Sequence, residues 1–172
     1  YDDVVFLVVK MLRFDKKKKL VIAEQLSMVL GSTFVLTFQE QPGDVFESVR
    51  NRIRNSQGRI RMRGVDYLAF GLLDAVVDNY IEIVERLGAH AEDVELDVLG
   101  DPTPQILSKI TRLKREMTFF RKQVRPAKEA IAQLSKLDVA IVRADTVPFM
   151  KELLDNTTQA TDANEPYLQI TS

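Results

Sequence analysis

Residues Gly64 to Leu99 read GVDYLAFGLLDAVVDNYIEIVERLGAHAEDVELDVL, and this stretch decides the fold. Apolar or small residues recur at Leu72, Val76, Tyr80, Ile83, Leu87, Ala91, Val94 and Val98. Steps of three and four are the period of one face of an α-helix. At about 1.5 Å per residue the helix is roughly 50 Å long, more than one compact domain of this size encloses, so part of it is expected to project. The stretch is acidic as well. Between Val65 and Asp101 stand ten acids (Asp66, Asp74, Asp78, Glu82, Glu85, Glu92, Asp93, Glu95, Asp97, Asp101) and one arginine, Arg86.

The segment that follows is its complement. From Pro102 to Lys136 there are nine lysines and arginines and two acids, Glu116 and Glu129. Its apolar positions are Ile106, Ile110, Leu113, Met117, Phe120, Val124, Ala127, Ile131 and Leu134, and they alternate steps of four and three as in a heptad seam. Pro126 within the seam predicts a local kink. Gly100-Asp101-Pro102-Thr103-Pro104 supplies a helix stop and a helix start. The pattern predicts a long antiparallel helical hairpin, acidic arm against basic arm, spanning residues 64–136.

Working outward to the amino-terminal side, residues 1–63 read as part of an α/β-type domain. Asp3–Phe14, Leu20–Leu30 and Thr33–Gln39 are rich in β-branched and aromatic residues and predict three strands. The basic turn Lys16–Lys19 reads as a solvated loop, and turns this short favour an antiparallel meander. Gly43-Asp44 opens a short helix, with Asp44 and Glu47 spaced as a capping box and Phe46, Val49 and Ile53 on its inner face. Strands followed by helices imply an α+β fold, a small mainly antiparallel sheet covered by helices. Arg50, Arg52, Arg54, Arg59, Arg61 and Arg63 then fall in fourteen residues without an acid. Three readings stay open for them: ion pairs within or between subunits, a solvated face, or a phosphate partner such as a nucleic acid. No aromatic residue is interleaved for base stacking.

On the carboxyl-terminal side, Leu137–Asp145 reads as a linker and residues 146–172 as the start of a further helix, with Pro148 tolerated in its first turn. Met150, Leu154, Thr157, Thr161, Asn164 and Leu168 form a seam that grows polar, expected to face water or another copy of the chain. Pro166 falls on this seam and predicts a kink or a frayed end.

Composition excludes several classes. In 172 residues, 24 bases against 25 acids leave a net charge of −1, so charge segregation informs where total charge does not. With no cysteine there are no disulfides, thiolate metal sites or cysteine nucleophiles. The single histidine, His90, makes no metal constellation, and no nucleophile–base arrangement, P-loop or dinucleotide fingerprint is present, so no enzyme is expected. No apolar run approaches the roughly 18 residues of a membrane helix. The chain lacks an initiator Met and a signal peptide, and a fragment trimmed at both ends is expected.

A hard divalent cation takes carboxylate and water oxygens. Asp74 and Asp78 stand four apart on one helical face, and Glu152 and Asp155 three apart on another. Neither pair alone is a cage; two such pairs from neighbouring subunits could form one. The acids Glu92, Asp93, Glu95 and Asp97 read as a solvated face that pairs with the basic arm.

Four strings, FQEQPGDVFESVRNRIR, GRIRMRGVDYLAFGLLDAVVDNY, TRLKREMTFFRKQVRPAKEAI and TVPFMKELLDNT, resemble the CorA family of magnesium and cobalt transporters, in family order over most of the chain. The resemblance implies the cytoplasmic domain of a homopentameric channel in the cell inner or plasma membrane. It implies an α/β domain, two long antiparallel helices and a stalk helix running to the membrane. The family's membrane helices, with their glycine-methionine-asparagine signature, and its upstream segment have no counterpart among these residues. By the resemblance, Asp74 is similar to a regulatory-site aspartate, and Glu152 stands where the family carries a stalk aspartate. Mg2+, with Co2+ possible, is then both the regulatory and the transported ion. Clustered carboxylates repel when metal is scarce, and bound cations hold the assembly closed. A zinc-transporting branch of the same family is an alternative, and a basic nucleic-acid-binding or scaffold domain is an alternative of another class.

Overall fold

In the computed structural model, which describes residues 4–100, 103–137, 140–163 and 165, β1 (Val4–Asp15), β2 (Leu20–Gly31) and β3 (Val35–Gln39) form a three-stranded antiparallel sheet in that order. The β1–β2 register runs unbroken from Val4 opposite Gly31 to Asp15 opposite Leu20. Residues directly opposite share a face, so Leu7, Val9 and Met11 line up with Met28, Leu26 and Glu24, all buried. On the other face Phe6, Leu36 and Phe38 stay exposed. The described helices therefore cover one side of the sheet, where the sequence suggested general coverage. β3 starts at Val35 and not at Thr33, because the Gly31 N–H donates to the Phe34 carbonyl (2.9 Å) and holds the preceding residues in the turn.

The helical hairpin is present. α2 (Val65–Gly100) has 36 residues and α3 (Pro104–Leu134) has 31, and the two pack against each other and against β1 and β2. The α3 seam is as expected: Ile106, Leu113, Met117, Phe120, Val124, Ala127, Ile131 and Leu134 are buried, with Ile110 partly so. α3 runs through Pro126 as one helix, with the proline on its exposed side. The single stripe expected on α2 is too narrow at its base. Leu73, Val77 and Val84 are buried there, and Leu72 only partly. The base of α2 meets α3 on one side and α4 (Val147–Asp162) on another. At the far end Val98 is exposed along with Leu96, Leu99 and Leu107, which marks the projecting tip. Asp101 and Pro102 lie outside the described residues.

Tyr80 ties helix to sheet. It is fully buried, its hydroxyl donates to the Lys10 carbonyl, and its ring meets Phe120 edge-on at 6.4 Å. The polar stripe of α4 does not face water. Thr157 and Thr161 are buried, and their hydroxyls donate one turn back, to the Leu153 (2.7 Å) and Thr157 (2.9 Å) carbonyls. A threonine satisfied by its own helix is buried without an unpaired donor. The expectations for Asn164, Pro166 and Leu168 lie outside the described residues. No helix among the described residues is long and apolar enough to cross a membrane.

Candidate carboxylate site between α2 and α4

α1 (Glu47–Arg54), α2 and α4 meet around Asp74. The anchor is at the start of α4. Arg63 donates to the Asp145 carbonyl at 2.9 Å, and its guanidinium lies 5.1 Å from the Tyr67 ring centre and 5.0 Å from that of Phe149. Tyr67 meets Phe149 edge-on at 5.2 Å, with Phe70 at 5.4 Å from the same ring. Asp66, fully buried, accepts the Arg143 N–H at 2.9 Å. Cation–π and aromatic contacts of this kind each contribute about 0.5–1.5 kcal/mol. Together they pin the first turns of α4 to the first turns of α2. The six-arginine segment thus uses Arg63 as a structural clamp. Arg50 is bidentate to Asp44, and Arg54 pairs with Glu47 at 2.9 Å. Asp44 is therefore an ion-pair partner that also accepts the Phe46 N–H (2.9 Å). The expected capping box does not form; the cap position of α1 is Phe46, without a side-chain cap.

Asp74 is half-buried in the α2 wall, between buried Leu73 and Ala75. Burial first, then the charge of Asp78, pushes its carboxyl up to about 6; Arg52 on α1 opposes this, and Glu152 on α4 adds to it. Asp78, more exposed, is raised by burial. Within one chain, Asp78 and the exposed Glu152 thus both act electrostatically on Asp74. Asp155, exposed one turn further along α4, is not among the charges acting on Asp74. Like charges held near one another disfavour ionisation and favour a bound cation. Among the described residues no three acids or histidines close to metal-binding distance, so a divalent ion here would take water or donors from outside these residues. Arg52 was not singled out by the sequence beyond its membership of the arginine run. Its signal is positional: Arg50 and Arg54 are ion-paired, and Arg52 faces α2.

Three comparisons bear on this arrangement. The family model described as CorA-like Mg2+ transporter protein matches residues 1–172. The cobalt/magnesium transport protein CorA of Thermotoga maritima is 35% identical over the whole chain, which spans 49% of that relative's length. Among solved structures, the soluble domain of CorA from Methanocaldococcus jannaschii has a TM-score of 0.85 at 18% identity, over 99% of this chain and 68% of that one. The ZntB cytoplasmic domain from Vibrio parahaemolyticus has a TM-score of 0.79 at 10% identity, over 99% of this chain and 66% of that one. The two structural matches speak to the fold.

Proposed function

The chain belongs to the family of CorA-like Mg2+ transporter proteins, and on that premise we propose that it is the metal-sensing, cytoplasmic-side part of a divalent-cation transporter, not an enzyme. The transported ion is Mg2+, with Co2+ as a second cargo. The observation that carries the reading is Asp74, a half-buried carboxyl crowded by the charges of Asp78 and Glu152. A cation beside it relieves both the burial cost and the like-charge repulsion. Asp155 joins this set when a neighbouring copy in a homopentameric ring completes the shell. With metal bound, the carboxylates no longer repel and the copies hold together; as metal falls, the repulsion returns and α4, clamped at its start, transmits it toward the pore.

Oxygen-only donors favour Mg2+ and tolerate Co2+. The zinc alternative is less supported, because the one histidine lies sixteen residues from Asp74 along α2, about 24 Å. The nucleic-acid alternative is weakened by the internal pairing of Arg50, Arg54 and Arg63. The test is thermal melting against MgCl2 and CoCl2. A ligand that binds only the folded form raises Tm with concentration, by about 2.7 kcal/mol of stability at a hundredfold excess over Kd. Asp74→Asn with Glu152→Gln should abolish that rise, and an equal rise in wild type and double variant removes these residues from the site.

A further inference from the structure

The four lysines of the turn between β1 and β2 are exposed, as expected of a solvated turn, but its backbone is held in place. The Asp15 carboxylate accepts the N–H groups of Lys17 and Lys18, each at 2.9 Å. The Arg112 guanidinium of α3 donates to the Lys18 carbonyl. Glu116, one turn on, accepts the Val21 N–H at 2.6 Å. Held from both sides, the turn places Lys19 at φ 50°, a left-handed conformation uncommon for a lysine. Lys19 then lines two adjoining cavities between the turn and the helical hairpin. One, of about 450 Å³, is walled by Lys19, His90, Asp93, Asp97, Lys109 and Arg112. The other, of about 300 Å³, shares Lys19, His90 and Asp93 and adds Phe14, Lys16 and Arg86.

The charges do not balance within this cleft. Lys109 pairs with Asp97 at 2.7 Å, and Arg86 with Glu82 at 2.7 Å. Lys16, Lys19 and Arg112 have no carboxylate at ion-pair distance among the described residues; Arg112 lines the first cavity, Lys16 the second and Lys19 both, beside a single acid without an ion pair, Asp93. Lysine and arginine lining adjoining cavities on a preset frame suit a phosphate group, for which the guanidinium fork is shaped. The partly buried ring of Phe14 offers an apolar platform for a planar base, and Asp93 an acceptor for an amino or hydroxyl group. The volumes fall in the range of small-molecule sites, about 300–1,000 Å³.

We propose that this cleft binds a phosphate-bearing small molecule of nucleotide size, with Lys16, Lys19 and Arg112 on the phosphate and Phe14 beneath the base. It lies toward the projecting end of α2, away from Asp74, and does not depend on the carboxylate reading. The test is calorimetric titration of the full chain with ADP without metal, with inorganic phosphate, and with phosphatidylcholine vesicles carrying phosphatidylglycerol. ADP should bind more tightly than inorganic phosphate, and added salt should weaken it. Lys19→Gln, which removes an exposed side chain, should weaken ADP binding several-fold. Adding Arg112→Gln should bring the loss to about tenfold or more, and Lys122→Gln, on another face of α3, should leave it unchanged. No ADP binding at millimolar concentration, an equal loss in Lys122→Gln, inorganic phosphate binding as tightly as ADP, or vesicle binding without ADP binding would each overturn the proposal.

Discussion

The two ends of α2 carry acids of the same kind in opposite circumstances. At the base, Asp66 is fully buried with its hydrogen bond to Arg143, and Asp74 is half-buried with its carboxyl raised to about 6. At the tip, Glu92, Asp93, Glu95 and Asp97 are exposed, as are their apolar neighbours Leu96 and Leu99. The tip has more acids, yet the base has the strained ones. Charge density in a sequence therefore does not locate a site; desolvation and crowding of like charges do.

The largest expected effect breaks the comparison at its apolar level. Phe120→Ala, at a fully buried ring against Tyr80, should cost about 3–5 kcal/mol, and Leu113→Ala about 2–5 kcal/mol. Leu99→Ala at the tip should stay within about 0.5 kcal/mol. Denaturant unfolding of the three variants checks this, and comparable losses at Leu99 and Leu113 would mean that the tip is packed as the hairpin interior is.

This contrast also explains what was legible beforehand. The α3 seam could be read residue by residue because it packs along one side, so a period of 3.5 maps onto burial. The base of α2 could not, since contact with both α3 and α4 widens its buried face to Leu73, Val77 and Val84. Thr157 and Thr161 read as facing water or another copy because the sequence does not show a hydroxyl turned back onto its own helix. The Asp74 and Asp78 pair and the Glu152 and Asp155 pair followed from helical spacing, and family resemblance singled out Asp74 and Glu152 from them. That Asp78 and Glu152 both act on Asp74, with Arg52 opposing, depends on how α1, α2 and α4 pack, which no local pattern encodes. The β1–β2 turn, read as solvated lysines, is fixed by Arg112 and Glu116 from about ninety residues away.

A smaller effect sharpens the electrostatic side. The folded-state pKa of Asp74 lies above the ordinary aspartate value of 3.8, at about 6. The folded protein therefore binds that proton more tightly than the unfolded chain. Stability is fully present below about pH 4 and is lost as pH rises through about 6. A shift of this size corresponds to at most about 3 kcal/mol, and partial solvent access reduces it to about 1–2 kcal/mol. In the absence of metal at pH 7, Asp74→Asn should stabilise by that amount, whereas Glu95→Gln at the tip should change little. The same proton competes with metal, so the Tm rise produced by Mg2+ should shrink between pH 7.5 and pH 5.5, around the value of about 6. A metal response flat across that interval would mean that Asp74 is not a ligand.

The smallest effect belongs to the tip itself. Asp97 on α2 and Lys109 on α3 are 2.7 Å apart, with side chains 44% and 54% exposed. Such a pair gains little in water and orders two long side chains, so its coupling should be about 0.2–1 kcal/mol. A double-mutant cycle of Asp97→Ala and Lys109→Ala measures it. Raising salt should erase most of that coupling, because exposed charges are screened over a Debye length of about 8–10 Å at moderate ionic strength. At the base, the effect of Asp74→Asn should persist under the same salt, since burial and not solvent-screened attraction is its first cause. A cycle in which the tip pair resists salt while the Asp74 effect disappears would invert the comparison and place the strained acids at the projecting end.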